Sequence, residues 1–359
     1  MQLRVIDTPE EAFNVKPLWQ DLYQRAENAH IFLSPAWNLT WLDTYRHLIS
    51  RLQFLCVFHS NGQMIAALPL YERKGEPFRL RFTGTGEPEE SEVFSEYHDV
   101  LVCREHVDTV TAILIGAIKS TGKGLVLNNV KHDALLLRLA GEAYPPSLVD
   151  NTVAQKRYFM NLEDDGLAGT KLKKKAKRYY NLFTRLGGQL HICSDPASLD
   201  AFYSVLTDLH RLRWEGEQQN TIFDDVYFNR FHQSLAGQLL KQGTLLLAYA
   251  EVGGKPVSAF YGMKSGDSVY FYQGGIDSGF SPNISPGTLI HYLMAEYAAG
   301  QGMKGYDFLS SGVKQSYKQS LTEFSEPVYS TTAYASGWQK LLIKALAFAS
   351  GVARKAGLP

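Results

Sequence analysis

Residues 246–262 read LLAYAEVGGKPVSAFYG, and residues 54–70 read FLCVFHSNGQMIAALPL. Each stretch is an apolar run, a tight turn and a second run of small and apolar side chains. The turns are Gly253-Gly254 and Asn61-Gly62. Such pairs suit turns that need positive φ, so both stretches predict β-hairpins. A further strand follows each hairpin, LRFTGTG at 80–86 and SVYFYQGGI at 268–276. Setting Gly62 on Gly254 gives a period far too long for a solenoid. It fits two copies of one domain in tandem. The expected units are residues 1–160, 161–336 and a terminal helix at 337–359, with the break near VDNTVAQKR at 149–157.

The helical segments support this division. Val107–Ser120, Leu199–Trp214 and Phe228–Gln242 carry apolar side chains at spacings of three and four. Pro286–Gly300 opens on Ser285-Pro286-Gly287-Thr288, where Ser285 suits an N-cap and Pro286 the first turn. Hairpins demand antiparallel pairing, and helices interrupt the strands irregularly. The expected fold is a mixed α/β sheet, of α+β character, and not a purely parallel one. No GxGxxG follows a strand and no GxxxxGK[ST] occurs, so the dinucleotide and P-loop readings fall away.

Composition removes other classes. The 359 residues carry 36 basic and 36 acidic side chains, which argues against a surface devoted to nucleic acid. Hydrophobic residues make up 45%, with 19 Phe, 20 Tyr and 5 Trp, enough for sizeable cores. Cys56, Cys103 and Cys193 form no CxxC pair, so neither a disulfide framework nor a cysteine zinc site is expected. The first residues carry acids where a signal peptide would be apolar, and no run reaches the ~18 apolar residues of a membrane span. A protein of the cytoplasm is expected.

Several stretches carry chemistry. KLKKKAKRYYNLFTRLGG at 171–188 predicts a helix with a dense basic face and an apolar stripe. It reads as a solvated face or as a dock for a polyanion. The helix start at Ser285-Pro286-Gly287-Thr288-Leu289 offers unpaired N–H groups and a positive dipole end, which suit phosphate. Gly287 would allow a ligand close to the backbone. Asp307 stands inside the apolar strand GYDFL, where a carboxylate needs a partner; it is either a structural anchor or a working acid. His210 lies in LHRLRW with Arg211 and Trp214. No GxSxG or HExxH is present, and no histidine spacing suggests a metal.

Taken in order, these pieces match a family. Phe32-x-x-Pro35-x-Trp37-x-x-x-Trp41 comes first, then the basic helix ending in Gly187, the LHRLRW helix and the double hairpin. SPGTL at 285–289, YDFLSSG at 306–312 and Tyr317-Lys318 complete the set. Together they resemble the CelD-like acetyltransferases of the GNAT superfamily, associated with cellulose or exopolysaccharide biosynthesis. Those are similar in turn to Fem-type aminoacyl transferases, built from two tandem GNAT domains. The resemblance implies acyl transfer from acetyl-CoA or another acyl-CoA to an amine or hydroxyl of an envelope or exopolysaccharide precursor. It places the donor along Gln273, Gly274, Gly275 and Ile276, and at Ser285, Pro286, Gly287, Thr288 and Leu289. It implies Asp307 as the first choice for the base, then Glu215 or His210, with Tyr317 protonating the leaving thiolate. Trp214, Arg211, Tyr261 and Lys318 are the expected acceptor contacts. NISPGT replaces the usual GNAT phosphate loop, which keeps a Fem-like aminoacyl-tRNA donor open, with 171–185 as the RNA contact. A non-catalytic GNAT pair in polysaccharide assembly is the third reading. The loop after the first-half hairpin is acidic (Glu87, Glu89, Glu90) and would repel a pyrophosphate. The first copy is therefore expected to be degenerate and to shape the acceptor cleft.

The tail GWQKLLIKALAFASGVARKAGLP puts Trp338, Leu341, Leu342, Ala345, Leu346, Ala349 and Val352 on one helical side. Its charges, Lys340, Lys344, Arg354 and Lys355, are all basic. A terminal helix packed across the pair is expected; the alternative is an interfacial helix at the inner membrane.

Overall fold

The computed structural model describes residues 1–162, 167–214, 221–312 and 316–355, with side chains to residue 348. The first half runs β1 (Gln2–Ile6), α1 (Pro9–Asn14), α2 (Lys16–Arg25), α3 (Pro35–Thr44), β2 (Ile49–Phe58), β3 (Met64–Arg73), β4 (Arg79–Phe82), β5 (Leu101–Val102), α4 (Val107–Ser120), β6 (Gly124–Lys131), α5 (Leu135–Ala143) and β7 (Val149–Asn161). The second runs α6 (Lys171–Arg185), β8 (Gln189–Ile192), α7 (Leu199–Trp214), α8 (Val226–Lys241), β9 (Leu245–Val252), β10 (Lys255–Ser265), β11 (Ser268–Ile276), α9 (Pro286–Gly300), β12 (Gly305–Gly312) and β13 (Phe324–Ala333). A last helix, α10 (Gly337–Lys355), follows.

Both stretches that open the sequence argument are antiparallel hairpins, β2–β3 and β9–β10. Gly62, Gly253 and Gly254 take positive φ in their turns. Each hairpin is followed by a third antiparallel strand, β4 or β11. A helix then leads to a strand lying parallel to it, β6 or β12.

One mixed sheet takes in both halves, in the order β1-β2-β3-β4-β6-β13-β7-β12-β11-β10-β9-β8, with β5 beside β3. The order is symmetric about the central β13–β7 pair. β13, from the second half, lies on β6 of the first; β7, from the first half, lies on β12 of the second. The halves exchange their final strands. The polar stretch 149–157 is therefore the start of a central strand, paired with β13 on both sides of a bulge at Ala154.

Trp37 and Trp41 on α3, with Tyr45 just after it, stand four residues apart and are fully buried. Trp37 meets Phe231 of α8 edge-on at 5.0 Å, which packs the halves together. α6 buries Leu172, Ala176 and Phe183 and leaves Lys171, Lys174, Lys175, Lys177 and Arg178 exposed.

The terminal helix is packed in part: Leu342 and Ile343 are half-buried and Lys340 and Lys344 pair with Asp150, while Trp338, Leu341, Leu346 and Phe348 are exposed.

Candidate active site

β11 and β12 pair through Ser268↔Gly305, Val269↔Tyr306 and Tyr270↔Asp307, and there the pairing stops although both strands continue. A bulge breaks the register of β12 on β7 between Asp307 and Ser310, and Leu309 takes a φ of 61°. Bulges re-aim strands in this way. A cleft lies where the strands part. Its inner section, about 270 Å³, is lined by Phe271, Gly274 and Ile276 of β11, by Ser285, Gly287, Thr288 and His291 at the start of α9, and by Lys175 of α6. Past Arg213 and Tyr317 it becomes a chamber of about 360 Å³ with Glu96, Gln273, Ser310 and Lys318 on its walls. The outer mouth, about 560 Å³, lies between Glu89, Glu90, Phe94, His210, Arg213 and Trp214. Glu89, Glu90, Phe94 and Glu96 belong to the first half, so chamber and mouth lie between the halves.

The inner section is suited to an anion. Ser285 caps α9, accepting from the Thr288 N–H at 3.5 Å and donating to Thr288 Oγ1 at 3.0 Å. A Cβ on Gly287 would meet only Ile276 Cγ2, at 3.8 Å, so the backbone there is open to the cleft. Lys175 Nζ donates to Ser320 Oγ at 2.7 Å on the adjoining wall. N–H groups of the first turn, the helix dipole and a lysine all favour negative charge.

Two sets of proton-handling groups follow. His291 is buried, with Nδ1 2.8 Å from the Tyr306 hydroxyl and Nε2 3.2 Å from the Tyr317 hydroxyl. Burial, aided by Lys318 and Arg213, pushes the ring's pKa down to about 3. A neutral imidazole donates from one nitrogen and accepts at the other, so the three groups form a chain ending at Tyr317 in the cleft. Loss of hydration pushes the Tyr317 hydroxyl up to about 12.

Glu96 forms the second set with Lys318. Its Oε1 accepts from the Ser310 hydroxyl at 2.6 Å and from the Ser310 N–H at 3.3 Å. Its Oε2 is buried without a partner. Loss of hydration raises the Glu96 pKa above the ordinary carboxylate range; hydrogen bonds from Ser310 and the Lys318 charge only partly offset this. Lys318 donates to Ser310 O at 2.8 Å and Leu309 O at 3.2 Å, and burial lowers its pKa.

The backbone around Glu96 is strained. Among the described residues, the non-glycine positions with left-handed φ are Phe94 (42°), Tyr97 (58°), Asn129 (54°) and Leu309 (61°). Phe94 and Tyr97 flank Glu96, and Leu309 adjoins its partner Ser310. Asn129 Nδ2 donates to Ser95 O at 3.1 Å. Such conformations cost about 1–3 kcal/mol each and persist where surrounding structure imposes them.

The expected residues divide. Gln273, Gly274, Ile276, Ser285, Gly287 and Thr288 line the cleft, as do Tyr317, Lys318, His210 and Trp214. Gly275 serves helix packing instead, since a Cβ there would stand 2.5 Å from the His210 backbone nitrogen. Pro286 and Leu289 are buried in α9. Tyr261 is a core residue whose hydroxyl meets His232 Nδ1 at 3.1 Å. Arg211 pairs with Asp224 at 3.1 Å, away from the cleft walls. Burial pushes His210 down to about 4. Glu215 lies outside the described residues. Asp307 is buried and engaged on both oxygens. Oδ1 accepts from Tyr97 at 3.0 Å and the Leu309 N–H at 2.7 Å, and Oδ2 from Arg157 at 2.7 Å.

Glu96, His291 and Arg213 are absent from the sequence-based set. His291 sits one turn beyond Thr288 and Arg213 one turn beyond His210, so helical spacing could have found both. Glu96 had no such signal, because Ser310 is 214 residues away.

Residues 170–319 match the model of an acetyltransferase (GNAT) domain. No curated protein matches the sequence. Among solved structures, FemX is similar over 95% of this chain and 99% of its own, with a TM-score of 0.58 and 10% identity. L-PGS from Bacillus licheniformis is similar over 92% of each chain, with a TM-score of 0.58 and 12% identity. The C-terminal domain of a candidate lysylphosphatidylglycerol synthetase from Agrobacterium fabrum covers 96% of this chain and 97% of its own, with a TM-score of 0.57 and 10% identity. The chain shares a fold with these proteins, and the stretch that matches the GNAT acetyltransferase model, 170–319, is the one in which β11 and β12 part.

Proposed function

We propose that this protein is an acyltransferase that binds an acyl-CoA along β11 and α9 and an amine or hydroxyl acceptor between its halves. The observation that carries this reading is the β11/β12 cleft, closed inside by the first turn of α9 and open outside between the halves. The acyl carbonyl would lie near the junction of the inner section and the chamber. There the acceptor attacks the thioester carbon, a C–N or C–O bond forms and the C–S bond breaks. Glu96 Oε2, buried and free of partners, takes the acceptor's proton. Tyr317, backed by His291 and Tyr306, gives one to the leaving thiolate. Asp307, buried and engaged on both oxygens, is read as the anchor that holds Tyr97, Arg157 and β12 around Glu96. The order of motifs resembling the CelD-like family supports an envelope or exopolysaccharide precursor as acceptor.

A second reading, an aminoacyl-tRNA donor, is favoured by the exposed basic face of α6 beside the inner section. Thermal shift with acetyl-CoA, longer acyl-CoAs, CoA and tRNA separates the two, because a ligand of the native state raises apparent stability. Stabilisation by acyl-CoA supports the first reading. Stabilisation by tRNA alone overturns it in favour of the second, and no shift with any of them overturns both.

A further inference from the structure

α10 is an amphipathic helix held to the body by its lysines and Gln339, with Leu342 and Ile343 half-buried beside them. Lys340 Nζ donates to Asp150 Oδ1 at 2.6 Å and Ser147 O at 2.9 Å, and Lys344 Nζ lies 2.9 Å from Asp150 Oδ2. Gln339 Nε2 donates to Gly122 O at 3.2 Å. The opposite side faces outward: Trp338 is 64% exposed, Leu341 73%, Leu346 60% and Phe348 75%. At 3.6 residues per turn these four fall on one arc. Trp338 alone of the four meets an aromatic ring among the described residues, that of Phe78, edge-on at 5.9 Å.

A helix of a water-soluble surface turns its apolar stripe to the core and its charges outward. α10 buries only part of its apolar surface and leaves these four large side chains outward, so the stripe suits another apolar phase. Among the described residues no helix is long and apolar enough to cross a membrane, which leaves a phase the helix lies on. Charge selects between a bilayer and a second copy. Residues 337–359 carry Lys340, Lys344, Arg354 and Lys355 and no acid. Asp150 offsets only one of these four charges, so α10 and its anchor keep a net positive charge that two helices packed face to face would bring together. An anionic bilayer instead complements them, and Trp338 suits its headgroup region.

We propose that α10 seats the protein on an anionic lipid surface through Trp338, Leu341, Leu346 and Phe348. This stands independently of the donor assigned above. The test is sedimentation of the full chain with vesicles of phosphatidylcholine alone, or with about one-third phosphatidylglycerol, together with light scattering in the absence of lipid. The expected result is binding to the anionic vesicles only, reduced at least about tenfold in a Leu341→Glu, Phe348→Glu double variant. Both side chains are exposed, so the variant should melt at the parent's temperature. Absence of binding to anionic vesicles overturns the proposal, as does equal binding by parent and variant. A parent that is dimeric and a variant that is monomeric also overturns it, assigning the face to a second copy.

Discussion

In the first half β4 and β6 pair in parallel from Arg79↔Gly124 to Arg81↔Val126, just as β11 and β12 pair from Ser268↔Gly305 to Tyr270↔Asp307. Past that point the two junctions differ. In the second, the strands part around a cleft. In the first, the chain's own segment 83–98 occupies the equivalent place. Thr83 Oγ1 donates to Asn38 Oδ1, Tyr71 to Thr85 O, Trp41 to Glu87, and Trp37 to Ser95 Oγ. His98 stacks on Phe82 at 4.5 Å and meets Asn128 O of β6 at 2.7 Å. Gly84 is required there, because a Cβ would fall 2.1 Å from Ser95 Oγ. The same segment turns Phe94 and Glu96 outward, into the second half's cleft. The segment that closes one strand junction thus forms a wall of the cleft at the other, and the first half keeps a separate pocket of about 360 Å³ beside the start of α4.

The largest effect is expected at Glu96. Glu96→Gln should lower turnover by about 10²–10⁴-fold with donor affinity unchanged. The parent's rate should fall at low pH, as Glu96 protonates, and the variant should lack that limb. The same substitution has a stability signature of fixed sign. Burial raises the folded Glu96 pKa above its unfolded value, so the folded chain binds the extra proton in that window. Stability present below the unfolded pKa is lost as pH rises through the folded one, and Glu96→Gln should flatten that fall in thermal melts. Activity that survives in a folded Glu96→Gln variant assigns the proton to another group.

Asp307→Asn should act on the frame instead. It removes a charge from Arg157 while Glu326 still holds that guanidinium at 3.1 Å. The expected loss is about 1.5–3 kcal/mol of stability, measured by denaturant titration, with the folded fraction keeping its rate. A full-stability variant without turnover would instead make Asp307 the base.

Two glycines near the cleft should give smaller effects of different kinds. Gly275→Ala drives a Cβ into the α7 backbone and should cost about 1–3 kcal/mol, visible as a lower melting temperature. Gly287→Ala has room and should melt like the parent, whereas Gly287→Asp should weaken donor binding by charge at the α9 terminus.

The two hairpins and the helices at 107–120, 171–185, 199–214, 226–241 and 286–300 were legible in the sequence because each is local. Turn glycines, apolar spacing and caps lie within a few residues of what they specify. The strand exchange was not, since β7 reads as a polar linker and becomes a strand only when β13 and β12 flank it. Six of the nine residues expected to hold the donor line the cleft, and those at the start of α9 were legible from the local cap at Ser285. Glu96 was not, because a carboxylate in an acidic loop carries no mark of the chamber it will enter. Asp307 was legible as an unusual residue but not as a saturated one; its partners Tyr97 and Arg157 lie 210 and 150 residues away.

The central claim is that one junction binds donor and the other is filled. Isothermal titration of acetyl-CoA into the parent and into Gly287→Asp tests it. The account predicts one equivalent bound per parent chain, with affinity reduced at least about tenfold in the variant. Two equivalents per chain, or equal affinity in a folded Gly287→Asp protein, would contradict it.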